Sequence, residues 1–292
     1  MRALIVGASG FIGGALRAVF GAQAVGTYCA HPGEGLRHLD IRDAATVQRV
    51  VGEVRPEVII HPAARPHVDW CEDHVQESHD VNVAGTRNMA AAAAAVGARY
   101  LFFSTDYVFN GGQGPYAENA SPEPLNVYGR HKLEAEAIIR RSLDDYLIVR
   151  LCGVYGFERQ AKNFVMALLA RSRSGEPMTV PSDQWGNPTY ADNLALAVKE
   201  LALAVQRGVF HLAGPEYCDR MTFARLACGV FGLVPDFLRP RSTAELGQRA
   251  PRPLRGGLDA SKARAVLATP LLGPQQGLAL MKEQLRAHGL LR

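Results

Sequence analysis

Residues 3–13 read Ala3-Leu4-Ile5-Val6-Gly7-Ala8-Ser9-Gly10-Phe11-Ile12-Gly13. A short apolar run enters a G-x-x-G-x-x-G turn and leaves it as a helical stretch, Phe11–Phe20. A strand-to-helix turn this tight needs φ > 0 or close backbone approach, and glycine permits both. The helix then starts with free N–H groups and the positive end of its dipole. Together these make a cradle for a pyrophosphate. The stretch predicts dinucleotide binding, with Gly7, Ser9, Gly10, Phe11, Ile12 and Gly13 around the cofactor. Its spacing differs from the G-x-G-x-x-G of the commoner dehydrogenase fold.

Outward from that turn, apolar runs alternate with helical stretches. Ala3–Val6, Ala24–Tyr28, Val58–His61, Arg99–Ser104 and Tyr146–Arg150 are strand candidates. Phe11–Phe20, Ala44–Val54, Glu72–Ala95 and Val127–Arg141 are helix candidates between them. Strands that are continuously apolar are buried on both faces, as in a parallel sheet. Alternation with helices predicts a Rossmann-type doubly wound α/β fold. The second half is less regular. Asn163–Ser174 and Asp192–Gln206 read as helices, and Gly208–Ala213 as a strand. Residues 239–257 read as a loop rich in Pro, Gly and Arg, followed by closing helices at Ala260–Ala268 and Gln275–Ala287. The expected organisation is a cofactor domain at 1–152, with some later chain crossing back, and a smaller α/β substrate lobe over most of 153–292.

Of 292 residues, 48 % are hydrophobic and 21 % charged, which fits a large core and excludes general disorder. A net charge of +4 without a clustered stripe does not predict a nucleic-acid partner. Cys29, Cys71, Cys152, Cys218 and Cys228 form no C-x-x-C pair, and the histidines show no H-x-x-x-H spacing. Reduced thiols, no bound metal and a cytoplasmic location are expected. No apolar run reaches the ~20 residues of a membrane span. Ala3–Val6 is too short for a signal-peptide core.

NAD-specific sites usually end the second strand with an acid that holds the ribose 2′-hydroxyl. Here the stretch is Gly26-Thr27-Tyr28-Cys29-Ala30-His31, with no acid. NADP(H) is therefore the preferred cofactor, with NAD(H) as the alternative. Tyr28 and His31 join the cofactor candidates, and Arg37 is a second cation for the 2′-phosphate.

Ser104-Thr105-Asp106-Tyr107-Val108-Phe109 follows an apolar strand, at the sheet edge where α/β ligands sit. Further on, Tyr128-Gly129-Arg130-His131-Lys132 puts a phenol and an ammonium on one helix face. A phenol near its ordinary pKa of about 10 exchanges protons poorly at neutrality. A nearby ammonium is expected to lower it. Tyr128 is then the general acid toward a carbonyl oxygen, Lys132 its partner, and Thr105 a hydrogen-bonding residue on the same oxygen.

Further blocks stand in one order over nearly the whole chain. They are Val68-Asp69-x-Cys71-Glu72, Asn82-x-x-Gly85-Thr86, Tyr155-Gly156, Asn163-Phe164, Asp183-Gln184-x-Gly186-x-Pro188-Thr189, His211-Leu-Ala-Gly214, and Arg252-Pro253 with Leu258-Asp-x-x-Lys262. With Ser104–Phe109 and Tyr128/Lys132 they resemble the dTDP-4-dehydrorhamnose reductase family, among the extended short-chain dehydrogenase/reductases. The resemblance implies reduction of a 4-keto group on a nucleotide-linked 6-deoxyhexose, catalysed by Thr105, Tyr128 and Lys132. It implies NAD(P)H contacts at Gly7, Gly10, Phe11, Ile12, Gly13, Asp40, Ile41, Ala63, Ala64, Tyr128 and Lys132. Arg65, Asn82 and Ser104 are added to that set. Asp106 and Tyr107 would line the sugar pocket. Asn163, Gln184 and Arg252 are the other substrate candidates, Arg252 as a bidentate partner for the diphosphate.

Some positions depart from the family pattern. His61-Pro62 replaces an Asn-Ala pair, and Arg65 replaces an aromatic residue. Gly153 stands where sugar reductases of the family often carry a hexose-touching Trp. Ala15 replaces the acid used in magnesium-linked dimers, so no such metal is expected, while a homodimer stays open. Two other readings share the motifs. One is a nucleotide-sugar epimerase or dehydratase with tightly held NAD. The other is a non-catalytic NADP-binding regulatory subunit, like the partner of methionine adenosyltransferase.

Overall fold

The computed structural model describes residues 1–158 and 160–291. Its first half contains β1 (Ala3–Ile5), α1 (Phe11–Phe20), β2 (Ala24–Tyr28), β3 (Arg37–His38), α2 (Ala44–Val54), β4 (Val58–His61), α3 (Val68–Asp73), α4 (Val75–His79), α5 (Gly85–Val96), β5 (Arg99–Thr105), α6 (Val127–Ser142) and β6 (Tyr146–Leu151). The second half adds β7 (Val154–Tyr155), α7 (Phe164–Ser174), β8 (Met178–Pro181), β9 (Trp185–Gly186), β10 (Thr189–Tyr190), α8 (Ala191–Leu203), β11 (Gly208–Leu212), β12 (Cys218–Asp219), α9 (Arg220–Phe231), β13 (Leu238–Arg241), α10 (Thr243–Leu246), α11 (Ser261–Arg264) and α12 (Pro274–Ala287).

Seven parallel strands form the main sheet in the order β3-β2-β1-β4-β5-β6-β11. On one face Leu16 and Phe20 of α1, with Leu194 and Val198 of α8, pack on Ile5, Ile60 and Leu101. On the other, Val47, Met89 and Ile139 from α2, α5 and α6 pack on Leu4, Ile59 and Phe102. Burial on both faces is why these strands read as unbroken apolar runs. The winding reverses between β1 and β4, and the carboxyl ends of the strands open there into a crevice. Two elements from the second half, α8 and β11, belong to this layer. A separate core joins α7, α9 and α12 through Val165, Leu169, Phe223, Ala227, Leu278 and Met281.

The structure corrects several expected elements. The single helix read over Glu72–Ala95 is broken into α3, α4, a π-helical turn at Asp80–Ala84 and α5. Residues 239–257 are not one loop. The end of β13 pairs in parallel with β8, and α10 carries a capping box between Ser242 and Glu245. The helix expected over Ala260–Ala268 is only the short α11. The sequence reading also passes over α9, although Asp219 caps its start through the Thr222 N–H at 2.9 Å and Gly232 ends it. Among the described residues, no helix is long and apolar enough to cross a membrane.

Candidate active site

The glycine turn sits at the carboxyl end of β1. Gly7 takes φ 86°, and the Gly10 N–H donates to its carbonyl at 3.0 Å. No side chain caps α1, so its first amides point into the crevice. A Cβ on Gly13 would collide with the Gly7 carbonyl oxygen, and one on Gly7 would press on Ala63. Ala63 is held over the turn by its own N–H, bonded to Val6 at 3.1 Å. The free amides at the start of α1, on a turn packed this tightly, suit a pyrophosphate. Ser9 is half-buried in the same turn.

At the outer end of this crevice the cations are arranged differently from the sequence expectation. Arg37 is engaged by Glu53 at 3.2 Å. His31 is exposed on the loop after β2, and Tyr28 stands edge-on to His38 at 5.4 Å. Asp40 is chelated by Arg42, whose hydrogen bonds hold its carboxyl below the ordinary carboxylate range. Ile41 is buried against α5. The Arg65 guanidinium lies over the Trp70 ring, 5.4 Å from its centroid. The sequence reading does not single out Arg42, although it directly follows the Asp40-Ile41 pair. Asn82 is buried, and its Oδ1 accepts from the Arg65 N–H at 2.9 Å. Its amide nitrogen donates to the Arg65 carbonyl and to Ser78 at 3.2 Å each. The amide thus fixes the loop carrying Ala63, Ala64 and Arg65, and the π turn presents it.

The catalytic candidates come from β5 and α6. Asn126 anchors the start of α6: it accepts from the Gly129 N–H at 2.8 Å and donates to the Pro251 carbonyl at 2.9 Å. Lys132 is 2 % exposed, with Nζ 3.9 Å from the Phe102 ring centroid. Burial pulls its pKa down to about 7, against the opposing charge of Glu136. Nζ makes no hydrogen bond to a described residue, which leaves its donors for a bound ligand. His61 is fully buried, and its Nδ1 lies 2.5 Å from the Tyr100 hydroxyl. Burial first, and Lys132 second, depress His61 to about 3, so its ring is neutral. Its Nε2 and the Ser104 hydroxyl are buried without a partner.

Tyr128 is half-buried and edge-on to Tyr107 at 6.3 Å. The sequence reading expects Lys132 to lower its pKa, and the structure reverses this. Burial raises the Tyr128 phenol, with Cys71, Asp106 and Tyr107 adding to the effect. A protonated phenol is the form a general acid needs. The Thr105 hydroxyl accepts from the Tyr107 N–H and donates to Asp106, both at 3.2 Å. It therefore caps the turn that presents Tyr107.

A cavity of about 680 Å³ opens beside Tyr107; Tyr128, Lys132 and Thr105 are not among the residues that line it. Tyr107, Gln184 and Arg252 line it, together with Lys162, Phe164 and Arg220. The Arg252 side chain is 9 % exposed; Nη2 pairs with Asp69 at 2.9 Å, and Nη1 is buried without a partner. Arg220 lies over the Phe164 ring at 5.5 Å. Neither Lys162 nor Arg220 is singled out by the sequence, although Lys162 directly precedes the Asn163-Phe164 block. Asn163 does not face the cavity. It caps α7 and donates to Gly156 and Glu158 at 2.9 Å each. Asp106 also sits behind the lining, beneath the Gly257 N–H at 3.4 Å, and burial raises its pKa.

A switch-point crevice, a glycine cradle and a Tyr-x-x-x-Lys helix define a dinucleotide-binding α/β protein of the short-chain dehydrogenase/reductase class. The RmlD substrate binding domain family matches residues 1–287, and the chain belongs to that family. A dTDP-4-dehydrorhamnose reductase of Streptomyces griseus is 35 % identical over 277 residues, covering 92 % of this chain and 89 % of the relative. Methionine adenosyltransferase 2 subunit beta of Xenopus tropicalis is 30 % identical over 275 residues, covering 91 % and 82 %. The solved structure of dTDP-4-dehydrorhamnose reductase from Bacillus anthracis, in complex with NADP, has a TM-score of 0.90 at 30 % identity. That match covers 97 % of this chain and 99 % of the other.

Proposed function

We propose that this protein is an NADPH-dependent reductase of a nucleotide-diphospho-4-keto-6-deoxysugar. The observation that carries the reading is the pair on α6: Lys132 is buried over the Phe102 ring, and Tyr128 stands edge-on to Tyr107, which lines a cavity that also holds Lys162, Arg220 and Arg252. The cofactor half is assigned to residues 1–152 with α8 and β11, and the substrate cleft to the remainder.

When bound, the reduced nicotinamide supplies hydride to the C4 carbonyl. The first amides of α1, beside Gly7, Gly10 and Gly13, hold the pyrophosphate. Arg42, once released from Asp40, and Arg65 are the cations assigned to a 2′-phosphate, which would favour NADP(H) over NAD(H). The Tyr128 phenol donates its proton to the C4 oxygen. Lys132, with free donors, binds the nicotinamide ribose. The unpartnered Nη1 of Arg252 donates to a substrate phosphate oxygen, assisted by Arg220 and Lys162.

The test is oxidation of NADPH with a panel of nucleotide-linked 4-keto-6-deoxysugars, with NADH in parallel. Turnover with any member, faster with NADPH, is the expected result. Tightly bound NAD in the purified protein would instead indicate an epimerase or dehydratase. NADPH binding without turnover on the whole panel would favour a regulatory subunit, a reading that the similarity to methionine adenosyltransferase 2 subunit beta keeps in view.

A further inference from the structure

One helical turn beyond Lys132 on α6 lies Glu136, with no exposed surface. Its carboxylate is gripped by Arg150 of β6, Nε to Oε1 and Nη2 to Oε2, at 2.8 Å each. Arg140 adds a third bond to Oε2 at 2.8 Å. Arg150 is itself 1 % exposed, and its guanidinium lies over the Phe109 ring. A buried ion pair is a weak source of stability, because desolvation offsets much of the attraction. Its position suggests another use. Residues four apart on a helix are neighbours, so Glu136 shares the α6 face of Lys132 one turn away.

We propose that Glu136 is a positioning residue of the active site: its carboxylate, kept ionised by Arg150, holds the Lys132 ammonium charged and in place in a dry interior. The proposal rests on the reductase reading only for Lys132 being a catalytic group.

The surroundings of Lys132 leave this task to Glu136. From β4 it meets the neutral His61, which offers no negative charge. From β5 it meets the Phe102 ring, with Tyr100 beyond it bonded to His61. The Ser104 hydroxyl of β5 lies beside Glu136 and carries no charge. On α6 itself Tyr128 is a protonated phenol, and Arg140 lies on the far side of Glu136. Arg150 reaches from β6, turned onto Glu136 and 3.4 Å from His211. Glu136 is thus the anion of this cluster. Burial works to neutralise it, and the Arg150 hydrogen bonds outweigh that and hold it below the ordinary carboxylate range.

The test uses the chain's five lysines, Lys132, Lys162, Lys199, Lys262 and Lys282, few enough for assigned carbon-13 NMR of the side-chain ε carbons. In Glu136→Gln, Lys132 should titrate about one unit or more lower than in the wild type. The alkaline limb of kcat/KM should move down with it. Glu136→Gln leaves Arg150 buried without its charge partner, so Glu136→Gln combined with Arg150→Met, which removes both charges, is the companion variant. It should show the same direction of shift, reduced in size. A merely structural pair would lower activity or Tm and leave both the titration and the limb in place, and that result would overturn the proposal. If the Lys132 resonance shifts while the wild type turns over no sugar of the panel, the electrostatic link stands and the reductase reading fails.

Discussion

On the α6 side of the cleft, Lys132, His61, Glu136 and Arg150 are all buried, and their charges act through a dry interior. At the cavity rim, where α3 meets the start of α6 through Glu72 and the Val127 N–H, Arg249 and Arg252 are tied to α3 by pairs with Asp73 and Asp69, whose side chains are 38 % and 42 % exposed. The same elementary interaction has different consequences in the two places. Water screens the Arg249–Asp73 pair, which is worth roughly 0–1 kcal/mol. Between the buried groups, burial moves proton affinities by whole units, bringing Lys132 to about 7 and His61 to about 3. Under the proposed function, the α6 wall handles the proton and the rim holds the charged ligand.

Lys132→Met should break the α6 wall most severely, lowering kcat by roughly 10²- to 10⁴-fold in NADPH oxidation. The same variant has a stability signature. The folded value of about 7 lies below the ordinary value for an exposed lysine, so above about pH 7 the unfolded chain binds more protons. Ligand-free stability should therefore rise with pH from about 7 toward about 10.4, with the full penalty present below 7. Thermal melts across that range should show the slope in the wild type and lose it in Lys132→Met. An unchanged slope would place the proton uptake elsewhere.

Gly13→Ala, which forces a Cβ against the Gly7 carbonyl, should weaken NADPH binding by about 100-fold in a fluorescence titration. Unaltered affinity would remove the cofactor from this turn. Arg252→Ala tests the rim. It should raise KM for the nucleotide sugar by roughly 10-fold, with kcat little changed, as expected for loss of one charge-assisted hydrogen bond. A fall in kcat at constant KM would move Arg252 into the chemistry. Asp73→Asn, at an exposed pair, should change Tm and KM hardly at all. A large effect there would mean that the α6 wall and the rim are coupled.

What the sequence revealed follows the same division. The glycine turn and the Tyr128/Lys132 pair are local patterns whose geometry is fixed by a strand, a turn and a helix, so they are readable as letters. The order of apolar runs carried the parallel sheet for a similar reason, since burial on both faces leaves a composition signal. The rest of the cavity is assembled from short pieces with no periodicity. The end of β13, Arg239-Pro240-Arg241, is exposed and reads as loop, yet it pairs with β8. Asn163 stands in a family block but serves as a helix cap, because Gly156 and Glu158 come back to meet it. The inversion at Tyr128 was hidden for a different reason. Spacing shows that a lysine is near, and only packing shows that burial outweighs it.

The most direct test of the account is a side-by-side measurement of wild type and Tyr128→Phe, following NADPH oxidation with the best sugar of the panel and NADPH affinity by titration. The account predicts that Tyr128→Phe loses nearly all turnover while its NADPH Kd stays within a few-fold of the wild type. Near-normal turnover in Tyr128→Phe would contradict it, because the proton would then reach the C4 oxygen from another group.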